Sequence, residues 1–417
     1  MNAMCKDDIL LVSDLTRGGA ASSCRRLFRA LRGIGVQAQW LAMRGSEDGD
    51  ASVAASWPDL PALIVRRLMA TVRSDPAAMV RWESLYYERC ALKAVRQRHP
   101  ALINLHNLHE AASFAFVERL PREIPLVWTL HDMWPITGYC CYSLNCGKYL
   151  TGCAGDCPQM GRWGVALKRP CEEWRRRDLF FRKNQARTIL VAPSRWLAEC
   201  ARRRFTGLIR TACIPYGVDV GVFKPMADRR AARQALALSE DVRIALTGTA
   251  SLDEKRKGLR FLVQAARMLS PGRTAPLTVI ALGTVWGQSR LPTDWILPGM
   301  IRDETLLNLY YNAADVVVLP SVGDNLPNML LEATAAGTPC VTFDVGGCSE
   351  IVLHGRTGFV AKLGDADDLA TCIEQVLTLP REAVEAMRVL CRETAVSTYR
   401  PEIQANAYAS LFQQMLA

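Results

Sequence analysis

Two successive series of short apolar runs, each alternating with helix-length amphipathic stretches, organise this 417-residue chain. The first series falls at residues 9–13, 37–42, 101–105, 126–130 and 188–192, the second at 242–247, 277–282, 316–319, 340–343 and 359–361. Strands that read as continuous apolar runs are buried on both faces, and alternation with helices makes them parallel. Between the series, residues 214–225 (IPYGVDVGVFKP) combine Pro, Gly and Asp in the manner of an interdomain hinge. A chain of this length with half its residues apolar exceeds one ordinary core. The expectation is an α/β protein of two Rossmann-like, doubly wound domains, 1–218 and 219–417, with a final helix over 401–417.

In open parallel sheets ligands bind at the C-terminal ends of strands, and helix N-termini there present unpaired N–H groups to anions. Candidate residues are therefore those directly following the apolar runs. After 316–319 comes DNLPNMLLEATAAGTP, which places Asp324 in a loop, Asn325, Leu326 and Pro327 at the helix entry, and Glu332 on the helix. On one continuous helix eight residues span roughly 12 Å and about 80°. Glycoside hydrolase pairs need carboxyls about 5 to 9.5 Å apart, so this pair suits two grips on different parts of one ligand. An acid in a loop and another on a solvated face is the competing description. Arg256, Lys257 and Gly258 follow the first run of the second series, where two cations suit a diphosphate or form a surface basic cluster. Gly18 and Gly19 follow the first run of all and permit close backbone approach or merely a tight turn. The stretch lacks the spacing of a dinucleotide fingerprint or a P-loop, which argues against oxidoreductase and kinase functions. His131 ends the 126–130 run, and His106 and His109 follow 101–105.

Several ordered motifs resemble the retaining glycosyltransferases of the GT-B fold that carry a Glu-x7-Glu motif, glycosyltransferase family four. They are RGGAA (17–21), TLHDMWPITG (129–138), APSRWL (192–197), IPYGVD (214–219), RKG (256–258) and LYYNAADVVVLPS (309–321), with the motif itself as Asp324-x7-Glu332. The middle segment resembles the branch that builds exopolysaccharides such as colanic acid. The resemblance implies two domains facing a cleft and the last helix crossing back onto the first. It implies that Glu332 grips the ribose, Asp324 the sugar hydroxyls, and Lys257 with Arg256 the diphosphate. His131 would stand beside the transferred sugar as a hydrogen-bond donor, and the Gly18-Gly19 loop would face the donor. Asp324 is one methylene shorter than the family's first Glu, and Thr247-Gly248-Thr249 stands where the family has a Gly-Arg pair. The partners implied are a nucleotide-sugar donor and a saccharide acceptor, lipid-linked in this branch, with front-face transfer and no catalytic cofactor. An epimerase or phosphorylase on the same fold is the enzymatic alternative.

Cysteine and charge patterns add two further expectations. Cys140, Cys146, Cys153 and Cys157 form C-x5-C-x6-C-x3-C in a Gly-rich insertion, 138–158, able to supply four thiolates to a structural zinc; free thiols and labile disulfides are the alternatives. Asp365-Ala-Asp367 matches a metal-binding string but directly precedes a helix and reads as its cap. Residues 1–220 carry 32 Lys and Arg against 20 Asp and Glu, leaving 19 against 21 beyond, so the basic surface belongs to the first half. Its densest part, 168–187, mixes Trp174, Leu179, Phe180 and Phe181 with Arg and Lys, compatible with a helix resting on anionic lipid or with an ordinary core stripe. A zinc-dependent nucleic-acid-binding protein is the non-enzymatic alternative, against which stand the absence of a recognised module and the near-neutral second half. With no membrane-length apolar run or cleavable leader, the expectation is a cytoplasmic protein, peripheral at the inner membrane face.

Overall fold

The computed structural model describes residues 8–45, 49–56, 76–153, 156–158, 170–269, 276–287 and 291–417. The chain divides into two compact units, Met1–Ile214 with Glu402–Ala417, and Pro215–Pro401. The division falls inside the Pro- and Gly-containing segment read as a hinge, four residues before the expected boundary, and the final helix belongs to the first unit.

The first unit is built on a seven-stranded sheet with β1 (Ile9–Leu15), β2 (Ala38–Gly45), β3 (Ala51–Ser56), β4 (Leu102–Leu105), β5 (Leu126–Thr129), β6 (Thr188–Ala192) and β7 (Arg210–Cys213). Their order is β3-β2-β1-β4-β5-β6-β7, and every pairing is parallel. Because side chains alternate along a strand, consecutive residues feed two cores. Leu10 and Val12 join Ile103, Leu105 and Trp128 on one face, while Ile9 and Leu11 join Leu102 and Val127 on the other. The C-terminal helix, Pro401–Leu416, covers that second face with Ala405, Tyr408, Leu411 and Phe412.

The second unit repeats the plan with β8 (Arg243–Ser251), β9 (Leu277–Thr284), β10 (Ile296–Gly299), β11 (Val316–Leu319), β12 (Cys340–Phe343) and β13 (Gly358–Ala361), in the order β10-β9-β8-β11-β12-β13. Here too the pleat splits the core: Ile244, Leu246, Val317 and Leu319 face one way, Ala245, Val316 and Val318 the other. In each sheet the chain runs outward from the central strand, then returns to its other side. The switch points therefore lie between β1 and β4, and between β8 and β11.

Three strands escaped the sequence reading, β3, β7 and β10. All are edge strands; β7 and β10 are exposed or half-buried along their length, so neither presents the continuous apolar run that marks a central strand. The basic helix Pro170–Lys183 had two readings, a face on lipid or an ordinary core stripe. Phe180 and Phe181 are buried in the first core and Trp174 packs against it, so only Leu179 of the four apolar residues is exposed. Arg177 is itself buried, with its guanidinium 4.7 Å from the Trp134 ring and 2.9 Å from Glu173. The aromatic side chains of this helix thus form the core stripe, the second of those readings. Lys168 and Arg169 of the same basic run, and Gly155 of the cysteine insertion, lie outside the described residues.

Candidate functional site

In the second unit, two loops flanking the β8/β11 switch point are locked together. The turn Lys255–Lys257 follows β8 and ends at Gly258, whose φ is +67°; a Cβ there would meet the Pro320 carbonyl oxygen, just past β11, at 1.9 Å. Only glycine permits that approach. Val322 N–H donates to the Arg256 carbonyl at 2.8 Å, and the Arg256 guanidinium donates to the Gly323 carbonyl. This clamp brings Lys257 Nζ to 2.7 Å from Asp324 Oδ2 and the Arg256 guanidinium to 3.6 Å from the same oxygen. Burial alone would raise the Asp324 carboxyl, but the charges of Lys257 and Arg256 outweigh it and hold the group below the ordinary carboxylate range. Glu254 pairs with the other side of Arg256 at 2.6 Å, a partner hidden in what the sequence showed as a charged surface string.

Asn325 donates its N–H to Asp324 Oδ1 at 3.2 Å and accepts at its carbonyl from Gly347 N–H at 2.7 Å, tying in the loop after β12. Leu326 is a core residue. Pro327 opens the helix Asn328–Ala335, which has no side-chain cap. Glu332 is buried on that helix and accepts from the Tyr311 hydroxyl at 2.7 Å. Tyr311 went unnoticed in the sequence because, within LYYNAADVVVLPS, it reads as one more apolar position. Structure therefore unites Arg256, Lys257, Asp324 and Asn325, and gives Glu332 a different partner. Gly248, in the Thr247-Gly248-Thr249 stretch, lies in β8 with space for a Cβ limited by Leu282 and Met329.

In the first unit, the C-terminal ends of β1, β4 and β5 gather a second set. Gly18 has φ +101° and leads into the helix Gly19–Gly33, with both glycines exposed. Asp14, near the end of β1, accepts from Asn107 Nδ2 and Glu110 N–H at 3.2 and 3.3 Å, and burial pushes its carboxyl up to about 7. His131 Nε2 lies 2.9 Å from His106 Nδ1, and His106 Nε2 lies 3.0 Å from Asn104 Oδ1. Burial lowers both imidazoles, His131 to about 4, so both rings are neutral at pH 7. His109 behaves oppositely: burial would lower it, but Asp132, at 3.0 Å, holds it well above the ordinary range. Asp132 was not among the expected residues, although it adjoins His131 in TLHDMWP.

Cys141 Sγ lies 3.3 Å from the same His109 Nε2, so His109, Asp132 and Cys141 offer N, O and S atoms within 4.8 Å of one another. As it stands the group is an ion pair of His109 with Asp132, with the Cys141 thiol alongside. Among the described residues, no three of Cys140, Cys146, Cys153 and Cys157 meet within that same distance. Burial raises the Cys140 thiol to about 12 and also raises that of Cys153, whose Sγ accepts from Gly138 N–H at 3.3 Å. Asp365 caps the helix Ala366–Thr378 by accepting from Asp367 N–H and Asp368 N–H.

Two Rossmann-type units with charged side chains at their switch points define the class of the protein as doubly wound α/β, a class whose ligand sites lie at strand ends. Sequence profiles narrow it: residues 17–222 match Glycosyltransferase Family 4, and residues 243–379 match Glycosyl transferases group 1. The chain thus consists of a glycosyltransferase family-4 domain followed by a group 1 domain, both of GT-B type. Among similar curated proteins, a D-inositol 3-phosphate glycosyltransferase 2 of Catenulispora acidiphila is 30% identical over 42% of this chain and 44% of the relative. A D-inositol 3-phosphate glycosyltransferase of Pseudarthrobacter chlorophenolicus is 30% identical over 64% of this chain and 60% of its own length. The chain therefore spans 44% and 60% of the lengths of these two relatives. Sucrose-phosphate synthase of Thermosynechococcus elongatus shares the fold at TM-score 0.69 and 20% identity, covering 98% of this chain and 99% of that one. Anabaena HepE, solved with UDP-glucose, does so at 0.66 and 16%, covering 98% and 100%.

Proposed function

We propose that this protein transfers a sugar from a nucleotide-sugar donor to a saccharide acceptor, with retention of anomeric configuration. The observation that carries the reading is the Lys257–Asp324 pair, clamped with Arg256 at the β8/β11 switch point of a group 1 domain. Lys257 and Arg256 neutralise the departing diphosphate, and cations fixed beforehand do this without a metal. Asp324 holds both cations in place and receives sugar hydroxyls. Glu332, aimed by Tyr311, takes the ribose. In the first unit His131 contacts the transferred sugar, and Gly18 and Gly19 leave room for backbone approach. No carboxylate is assigned as nucleophile; the leaving phosphate assists deprotonation of the acceptor on the same face.

The experiment is a thermal-shift screen of nucleoside diphosphates and their sugars, since a ligand that binds only the folded chain raises its apparent stability. With a donor identified, Glu332→Gln should weaken its binding about tenfold, roughly 1.4 kcal/mol. Lys257→Ala should lower kcat by about 10² to 10³ with a smaller effect on KM. Unchanged kinetics in both variants would remove the assignment, and conversion of free donor without acceptor would point to an epimerase. Product anomer determined by NMR tests retention.

For the acceptor, a lipid-linked saccharide of surface or exopolysaccharide assembly follows from the middle-segment motifs. A phosphorylated polyol is the second reading, favoured by the relatives named for inositol phosphate. Competition between the two acceptor types in one assay separates them. We also propose that the cysteine loop takes one structural zinc, drawing the four sulphurs together. Supporting this, the four cysteines fall within one short Gly-rich insertion, and a metal would offset the burial that disfavours the thiolates of Cys140 and Cys153. About one zinc per chain by elemental analysis is expected; metal-free protein with four titratable thiols would overturn it.

A further inference from the structure

We propose that His109, Asp132 and Cys141 form a binding site for one zinc ion, held by Nε2, Oδ2 and Sγ, with the fourth position taken by water or a ligand oxygen. The site shares no residue with the four-cysteine zinc proposed above, and neither reading depends on the other.

Two loops build it. His109 comes from the loop after β4, and Asp132 and Cys141 from the loop after β5. Cys141 lies nine positions beyond Asp132, and the turn Trp134–Ile136 folds the chain back so that Met133 N–H donates to the Cys141 carbonyl at 2.8 Å. Thr137 Oγ1 donates to the adjoining Cys140 carbonyl at 2.8 Å and fixes that return. Trp134 N–H donates to Asp132 Oδ1 at 2.8 Å, so Oδ2 is the oxygen aimed at His109. His109 Nε2 then stands 3.0 Å from Asp132 Oδ2 and 3.3 Å from Cys141 Sγ.

Zinc bonds of about 2.0 Å to N or O and about 2.3 Å to S, at tetrahedral angles, set N···O edges at about 3.3 Å and N···S edges at about 3.5 Å. The side chains therefore need to part by only about 0.2 to 0.3 Å to seat the ion. Imidazole and thiolate are the donors that suit zinc, and a carboxylate completes a recurrent ligand set. On binding, the ion displaces one proton from the His109 imidazolium and one from the Cys141 thiol, so the group keeps its net charge. Asp132 and Cys141 are buried, whereas the His109 side chain retains 18% exposure, an opening for entry and for the fourth ligand. Two further carboxyl groups, of Asp14 and Glu110, have oxygens within 4.8 Å of a His109 ring nitrogen, a second reason for a cation to collect here. The ion would fasten the loop after β4 to the loop after β5, beside His131.

The test uses the full chain carrying Cys146→Ser and Cys157→Ser, two half-buried positions whose loss removes the four-sulphur site. Elemental analysis after purification under reducing conditions should still give about one zinc per chain. Zinc-edge X-ray absorption of this protein should show a single sulphur among nitrogen and oxygen neighbours. Adding Cys141→Ser should remove that sulphur, and adding Asp132→Asn should weaken zinc binding at least about tenfold, the lower bound when even an outer partner of a ligand is lost. Metal-free protein, or an ion with no sulphur or with several, would overturn the site even if the ligand variants fail to fold. One zinc in both the wild type and the double variant would retain this site and remove the four-cysteine one.

Discussion

Gly258 shows how one residue without a side chain sets the geometry of charged ones. Its positive φ and its approach to the Pro320 carbonyl close the turn that carries Lys257 toward Asp324. Gly258→Ala should cost roughly 2 to 4 kcal/mol, since αL strain and a collision with backbone oxygen add. Gly147→Ala, with no atom near its built Cβ and no positive φ, should change stability by less than about 0.5 kcal/mol. Urea midpoints for the two variants check this, and equal midpoints would mean the loops have room to separate. RKG was readable as a candidate because cations after a strand are rare enough to notice. Its partner distance was not, because 67 residues separate Lys257 from Asp324.

At the scale of elements, the strand ends β4 and β5 carry imidazoles whose burial links stability to pH. His106 and His131 have folded pKa values below 6.5, so between pH 6.5 and about 4 the unfolded chain binds protons that the folded chain does not. Their contribution is present above pH 6.5 and is lost as pH falls toward 4. Asp14 acts with the opposite sign: its folded carboxyl titrates at about 7, so its contribution declines as pH rises from about 4 to 7. His131→Asn should remove up to one proton's slope, about 1.4 kcal/mol per pH unit, from the stability profile between pH 4 and 6.5. Asp14→Asn should make the same profile rise more steeply with pH. Chemical denaturation at half-unit intervals reads both slopes, and parallel profiles for wild type and variants would show that neither group is perturbed by folding.

At the scale of the molecule, the last helix decides which unit owns the C-terminus. Tyr408 and Phe412 are fully buried against the face of the first sheet that carries Ile9, Leu11 and Val127. Removal of residues 402–417 should therefore expose that face and lower hydrogen-exchange protection across β1, β4, β5 and β6, leaving β8, β9, β11 and β12 protected. Uniform loss of protection in both sheets would mean that the two units fold as a single cooperative body. Tyr408→Phe, which removes only the hydroxyl bonded to Thr129, should cost about 1 kcal/mol.

The sequence by itself determined the two doubly wound sheets, because central parallel strands are apolar on both faces and leave runs such as VVVL and TILVA that need no partner to be recognised. It also placed Lys257, Asp324 and His131 in segments that follow a strand, because the end of an apolar run marks where its strand gives way to a loop. Only tertiary structure decided the edge strands, whose half-exposed residues carry no periodic signal, and the inward turn of Phe180 and Phe181, since an amphipathic helix does not state what its apolar face meets. It alone decided that His131 meets His106 at 2.9 Å across 25 residues of chain, because sheet register sets the end of β4 beside that of β5.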